Sequence, residues 1–181
     1  MRKAVKILCF IVIFTVAFLL QLVNSTAHSI SANEAVALGW QSPVSGKIEV
    51  LKEFDKPAKK WNAGHRGVDL ASADGAVRSP ADGTVVFAGT VVDRQVITIE
   101  HANGLRSSFE PITEPLKKGT KVSAGQKIAR IDPAQPHCAV QCVHWGVREG
   151  AGKRADYLNP LLFLGLSEPS VLLPFAQDFS A

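Results

Sequence analysis

Short apolar segments rich in β-branched residues recur along the chain from Trp40 onward, and residues that favour turns separate them. The segments that predict strands are 47–50, 84–88, 95–100, 105–109, 127–131 and 142–147. The turns at 82–83, 102–104, 118–119 and 124–125 each carry a glycine, which tolerates the positive φ angles of tight turns. No convincing amphipathic helix precedes Leu158. This pattern predicts an all-β domain in which two antiparallel sheets pack on each other.

The N-terminal residues have the pattern of a secretory leader. Basic residues at positions 2, 3 and 6 precede an apolar run over 7–20, and the small residues 25–27 have the spacing that a signal peptidase accepts. The uncharged stretch 7–23 is slightly shorter than the roughly 20 residues of a comfortable bilayer span, so an uncleaved anchor is the weaker alternative. In either case, we expect the rest of the chain to lie in the cell envelope or outside the cell.

The remaining chain is long enough for one domain with a hydrophobic core. The predicted organisation is a signal peptide over 1–27, a linker over 28–39, a domain over 40–166 and a C-terminal tail over 167–181. The formal charge of +4 falls to +1 when the three basic residues of the leader are removed (4 − 3). The basic composition therefore does not indicate nucleic-acid binding.

Three residues far apart in the chain form a candidate zinc site. His65 and Asp69 lie in the segment 64–70, and His144 lies in the segment 142–146. Two imidazoles and a carboxylate leave one zinc coordination position open for water, as hydrolytic zinc sites require. Gly67 lets the chain turn between the first two ligands, so that both side chains converge on one point. In the strand 142–147, a period of two places His144 on the face opposite the apolar residues.

Two cysteines, Cys138 and Cys142, remain after the predicted leader is removed. An even number of cysteines in an oxidising compartment makes a disulfide the default expectation, and the short loop between the two residues can bring their β-carbons to bonding distance. The alternative is that Cys142, on the same strand face as His144, coordinates zinc as a fourth ligand and closes the site. The two readings exclude each other for Cys142.

Several motifs in order resemble the lysostaphin and LytM-type zinc metallopeptidases, which cut peptides of bacterial peptidoglycan. These motifs are 64–69, 77–83, 99–104, 122–126, 143–146 and 157–160. The segments 77–85 and 116–131 also resemble the two halves of biotinyl and lipoyl carrier domains, but no modifiable lysine lies at a hairpin tip between them. The peptidase resemblance implies the duplicated β-sandwich of that family and a zinc ion held by His65, Asp69 and His144.

Two departures from the family pattern concern catalysis. Active members carry histidine at two further positions, and the corresponding places here hold Cys142 and Pro111. Proline has no side-chain proton acceptor or donor, and a disulfide-bonded cysteine has no thiolate. Glu110 is the nearest candidate for a substitute base, and its alternative is an exposed carboxylate at the end of a strand.

Two other histidines are interpreted as lying outside the metal site, the first from the resemblance and the second from its place in the chain. His101 falls in a recurrent structural hairpin of the family, and we interpret it as structural. His137 lies in the irregular loop that follows residue 131. We expect it to be a solvated loop residue, with substrate contact as the alternative.

Two classes of function follow from these patterns. In the first, the protein is an exported zinc metalloendopeptidase that acts on peptidoglycan peptides. In the second, it is a non-catalytic relative that binds peptidoglycan peptides or regulates a partner cell-wall hydrolase. The family resemblance favours the first class, and the replaced histidines favour the second. Membrane contact is expected only through the N-terminal segment, if that segment is not cleaved.

Overall fold

A computed structural model describes residues 39–59, 61–150 and 152–166. The predicted signal peptide, the predicted linker up to residue 38 and the predicted C-terminal tail lie outside the described residues. Within the described ranges, no helix has the length and apolar character needed to cross a bilayer.

The described residues form short strands joined by turns, with two 3₁₀ turns near the end at Gly152–Arg154 and Pro160–Leu164. The strands are β1 (Val50–Lys52), β2 (Val68–Ala71), β3 (Ala76–Arg78), β4 (Gly83–Val91), β5 (Arg94–His101), β6 (Arg106–Glu110), β7 (Ile112–Thr113), β8 (Lys121–Val122), β9 (Lys127–Ile131), β10 (Cys142–Glu149) and β11 (Asp156–Leu158).

Two antiparallel sheets share one hydrophobic core. The larger sheet has the order β1-β2-β10-β6-β5-β4-β8, and β11 also pairs with β10. The smaller sheet has the order β3-β9-β7. Buried residues of both sheets, such as Ile97 and Phe109 in the larger and Val77 and Ile128 in the smaller, belong to a single apolar cluster. The predicted all-β class with two packed antiparallel sheets is therefore confirmed.

Most of the predicted strands are present, with one clear exception. The segment 47–50 contributes only its last residue to β1, and residues 43–47 form bends. Conversely, the sequence does not predict β3, β7, β8 or β11, because each has only two or three residues and no alternation long enough to recognise.

The turn glycines divide into two groups. Gly104, Gly119 and Gly125 have φ angles of 79°, 90° and 75°, as the turns require. Gly83 differs from the prediction, because it begins β4 without a positive φ. A β-carbon at Gly83 would lie 2.6 Å from the carbonyl oxygen of Glu100, so the close approach of β5 requires glycine there.

β10 lies between β2 and β6, and it carries alternating side chains toward the core and toward the opposite face. Val143, Trp145 and Val147 are completely buried, as the period of two predicts. The Trp145 ring stacks on Phe109 of β6 with the ring centroids 6.2 Å apart. This packing fixes the strand, and with it the position of His144 on the opposite face.

Candidate metal centre

β2 and β10 place two of the predicted ligands side by side. Asp69 and His144 are direct partners in the antiparallel pairing of these strands, and antiparallel partners project to the same face of a sheet. Val68 and Leu70 flank Asp69 and are fully buried in the core, so the aspartate points away from the core. The third ligand, His65, is held by two backbone hydrogen bonds with Asp55, with N–O distances of 2.8 and 2.9 Å.

The donor atoms of these three residues lie within hydrogen-bond distance of one another. Asp69 Oδ1 is 3.1 Å from His65 Nε2 and 2.9 Å from His144 Nδ1, and the two imidazole nitrogens are 3.0 Å apart. Ligand bonds of ~2.0–2.1 Å in a tetrahedral zinc site would separate donor atoms by about 3.3–3.4 Å. The structure therefore brings together the three residues predicted as ligands at spacings close to those of a zinc site.

The protonation of His65 also suits a metal ligand. Its Nδ1 lies 2.7 Å from the carbonyl oxygen of Glu53. A carbonyl only accepts hydrogen bonds, so Nδ1 carries the proton and the lone pair of Nε2 faces the cluster. Metal-bound histidines commonly donate their second nitrogen to a carbonyl or carboxylate in this way.

Glycine is required at position 67 because a side chain would not fit there, and not because of the backbone angle. Its φ is not in the left-handed region, contrary to the expectation of a special turn conformation. A β-carbon at this position would lie 2.3 Å from the carbonyl oxygen of Trp145 and 2.7 Å from the His144 ring. The glycine therefore allows the backbone before β2 to approach β10 and lets the His144 ring turn into the cluster.

Asp69 remains a carboxylate although it is only 3% exposed. Burial raises the pKa of Asp69, but the hydrogen bond from His144 and the attraction to the neighbouring histidines in their protonated form outweigh it, so the pKa lies below its ordinary value. The anionic form is the one that binds a metal ion.

His137 is an exposed loop residue, as expected, and its ring also borders the cluster. Its Nε2 is 3.3 Å from Asp69 Oδ1, and its side chain is 27% exposed. Its ring centroid is 5.8 Å from that of His144. One donor atom from each of His65, Asp69, His137 and His144 lies within 4.8 Å of every other. Sequence reasoning missed His137 because an irregular loop has no periodicity from which to infer where a side chain points.

The predicted disulfide between Cys138 and Cys142 is present, with the two Cα atoms 6.0 Å apart. Cys142 pairs with Ala71 at the start of β10, whereas Cys138 belongs to the loop that carries His137. The sulfur of Cys142 is bonded to another sulfur, so the structure does not support the alternative in which this cysteine is a zinc ligand.

Glu110 lies on the same sheet face as His144. The two residues are direct partners in the pairing of β6 with β10, and Phe109 beside Glu110 is completely buried. Glu110 and the histidines of the cluster line one groove of about 730 Å³. Pro111, which follows Glu110, is buried and begins the connection to β7. The carboxylate is therefore on the groove side of the sheet, as the strand alternation predicts.

His101 is part of the structural framework. It is 4% exposed, its ring centroid is 4.6 Å from that of Trp40, and it is not among the clustered donor residues. Its Nδ1 donates to the carbonyl oxygen of Asp82 and its Nε2 accepts from the Ser107 hydroxyl, both at 2.9 Å. These contacts support the structural interpretation of this residue.

Acid is expected to weaken the fold through His101. Burial lowers the pKa of His101 below the ordinary 6.5, although the Asp82 carbonyl and charge act in the opposite direction. The unfolded chain therefore takes up this proton first, so the contribution of His101 to stability is complete above pH 6.5 and declines as the pH falls below it. Denaturant unfolding with chelator present measures the free energy of unfolding at pH 8 and at pH 5. Between these two values, this free energy should fall more for the wild type than for His101→Gln. Equal losses would contradict this assignment.

Comparison with known proteins identifies a family, a sequence relative and structures with a similar fold. The profile of peptidase family M23 matches residues 63–160. Uncharacterized protein Rv2891 of Mycobacterium tuberculosis is 39% identical over 143 residues, which cover 78% of this chain and 56% of that protein. The chain thus spans little more than half the length of this relative.

Solved structures share the architecture. A chain in the crystal structure of the SpoIIIAH and SpoIIQ complex has a TM-score of 0.55 and 27% identity, over 68% of this chain and 99% of that chain. Csd3 of Helicobacter pylori has a TM-score of 0.52 and 29% identity, over 67% of this chain and 33% of that chain. The catalytic domain of lysostaphin from Staphylococcus simulans matches at a TM-score of 0.54 and 21% identity, over 65% and 92% of the two chains, and shows the fold alone.

Proposed function

Because the chain belongs to peptidase family M23, we propose that it is an exported zinc metalloendopeptidase that acts on peptides of bacterial peptidoglycan. The observation that carries the proposal is the convergence of His65, Asp69 and His144 on one point of a groove. Export through the predicted signal peptide agrees with the disulfide, since disulfides persist in oxidising compartments.

The three convergent residues would hold the zinc ion. Bound zinc supplies Lewis-acid chemistry, because it polarises a carbonyl oxygen and makes water more acidic. The carboxylate of Asp69 supplies negative charge, and the Glu53 carbonyl fixes the tautomer and the ring orientation of His65. Gly67 keeps the space beside the His144 ring free of a side chain.

Glu110 is the residue that we assign to proton transfer. It shares a sheet face with His144 and lines the same groove, so its carboxylate lies on the side from which a substrate would approach. A carboxylate within direct reach of the reacting water, or within reach through a second water, serves as a general base. Pro111, the next residue, has no group that can take this role.

The groove has the form expected for a peptide ligand. Its lining combines apolar side chains such as Phe87 and Val96 with the polar residues Arg148 and Tyr157. Such a mixture of apolar contact surface and a few polar groups is typical of ligand sites. We propose that stem or cross-bridge peptides of peptidoglycan occupy this groove with a scissile carbonyl at the clustered histidines.

A second candidate function is a binding or regulatory domain without turnover. It is favoured by Cys142 and Pro111, which occupy the places of two histidines usual in active members of the resembling family. It is also favoured by the similarity to a chain of the SpoIIIAH and SpoIIQ complex, a protein assembly. In this case, the groove would hold a peptidoglycan peptide or a partner cell-wall hydrolase without cutting it.

Purified peptidoglycan distinguishes the two candidate functions. We expect the zinc-loaded wild type to release soluble peptides with new amino termini, and Asp69→Ala to release none. Sedimentation with the same insoluble peptidoglycan measures binding independently of cleavage. Binding by the wild type without any release of peptides would support the second function instead of the first. If the wild type does not bind peptidoglycan and releases no peptides, both candidate functions are contradicted.

A further inference from the structure

Two arginines lie side by side in the groove, at a distance from the clustered histidines. Arg148 of β10 and Arg106 of β6 are direct partners in the antiparallel pairing of these strands, and both line the groove. The period of two places Arg148 on the same face as His144, which lies four residues earlier in β10. At about 3.4 Å per residue, the Cα atoms of these two residues are roughly 13 Å apart. The arginines are therefore several peptide residues away from the proposed metal ligands.

The two arginines differ in their partners. Arg106 forms an ion pair with Glu100, and its Nε is 2.7 Å from Glu100 Oε2. The side chain of Arg148 forms no ion pair or hydrogen bond with any other residue that the structure describes. Like charges directly opposite each other in a sheet are destabilising. Arg148 is therefore a partly buried positive charge that lies beside another one and lacks a counter-charge of its own.

Two further groove residues make the surroundings of Arg148 suited to an anion. Tyr157 of β11 is the direct partner of Arg148 on its other side, and a tyrosine hydroxyl can donate a hydrogen bond. The Arg66 guanidinium lies over the Tyr157 ring, with Cζ 6.0 Å from the ring centroid. Among the described residues that line the groove, only Glu110 is acidic, and it is paired with His144 at the other end. The groove is therefore positively charged at its arginine end.

We propose that Arg148 binds a free carboxylate of the peptide in the groove, so that the groove selects acidic peptidoglycan peptides over uncharged ones. The inference rests on the proposed peptide groove and specifies its ligand. A guanidinium donates two parallel hydrogen bonds to a carboxylate, which fixes the orientation of the carboxylate as well as its position. The carboxylate also supplies the counter-charge that Arg148 lacks within the described part of the chain.

The middle of the groove leaves room for a peptide between its two ends. Ser108 and Gly146 are paired there, and a β-carbon at Gly146 would lie 3.0 Å from the carbonyl oxygen of Arg66. An extended peptide that follows β10 also rises by about 3.4 Å per residue. The carboxylate at Arg148 then belongs to a residue about four positions from the carbonyl at the histidines. Glu110 repels a carboxylate at the histidine end, which disfavours the reversed peptide.

Synthetic stem peptides test the inference. Four versions are needed, each with one fluorescent label at the amino terminus: one with all carboxylates free, one fully amidated, one amidated only at the C-terminus and one amidated only at its side chains. Fluorescence anisotropy measures their affinity for zinc-loaded Glu110→Gln, in which the peptides should remain intact, as mass spectrometry verifies. We expect the acidic peptide to bind about 10-fold more tightly than the fully amidated one. The two partly amidated peptides identify the source of the carboxylate, because only amidation of the bound group weakens binding.

Substitutions of Arg148 in the same background assign the preference to this residue. In Arg148→Gln, which removes the charge, the acidic and the fully amidated peptide should bind with nearly equal affinity. Arg148→Lys should restore only part of the preference, because an ammonium group does not form the two parallel hydrogen bonds. Arg130→Gln is the matched control, since it removes an exposed arginine of β9 outside the groove lining and should keep the full preference. Zinc content and circular dichroism should be the same in all these variants.

The outcomes separate this inference from the proposed function. Equal affinity for the acidic and the fully amidated peptide overturns the inference and leaves the proposed function intact. A preference that persists undiminished in Arg148→Gln assigns the recognition to other groups and overturns the role of Arg148. If no peptide binds to protein that is folded and holds zinc, the proposed peptide groove is contradicted together with this inference.

Discussion

Asp69→Ala is expected to reduce bound zinc from about one equivalent per chain to a level near zero, because a hydrolytic zinc site needs its three protein ligands. Asp69 is the centre of the cluster, and its Oδ1 is the atom that His65, His137 and His144 all approach. Without it, three imidazoles remain with no negative charge to offset that of the metal ion. Metal analysis of dialysed, tag-free protein measures the loss.

The matched control is Asp156→Ala, which removes an exposed carboxylate that pairs with Lys56 at the surface. Exposed ion pairs contribute little to stability, so this variant should keep both its fold and its zinc. His144→Ala provides a second test of the cluster, since it removes an imidazole from the neighbouring strand. Undiminished zinc in both Asp69→Ala and His144→Ala would exclude the site.

Glu110→Gln is expected to reduce peptidoglycan hydrolysis by about 10²–10⁴-fold, the usual contribution of general acid–base catalysis. The amide keeps the size of the side chain but accepts a proton far less readily than the carboxylate. Glu110 projects into the groove from β6, whereas the three proposed ligands come from β2, β10 and the segment before β2, so zinc content should not change. The measurement is the initial rate of peptide release at saturating peptidoglycan.

Glu149→Gln is the matched control for this variant, because Glu149 is exposed at the end of β10 and is outside the groove lining. It should cleave at the wild-type rate. Equal rates for the wild type and Glu110→Gln would make the Glu110 carboxylate a bystander. If neither protein cleaves while both bind peptidoglycan, the domain is a binding module.

The strand β10 illustrates how much of the fold can be predicted from the sequence. Its apolar residues at every second position predict a strand with one buried face, and the structure confirms that burial. Strand alternation also predicts that Glu110 faces away from the core, since its neighbour Phe109 is a large apolar residue. Short strands such as β3 escape this reasoning, because three residues carry too little periodicity to distinguish them from a loop.

Local spacing and alternation are enough to predict the class of fold and the family resemblance, whereas the choice between a disulfide and zinc coordination for Cys142 needed the structure. The register that pairs Asp69 with His144 across 75 positions of the chain is visible only in the three-dimensional structure. The same holds for the close approach of β10 that requires glycine at position 67, and for the position of His137 beside Asp69. These features depend on which distant segments pack together and how closely they approach. A local pattern of apolar and polar residues contains no information on that packing.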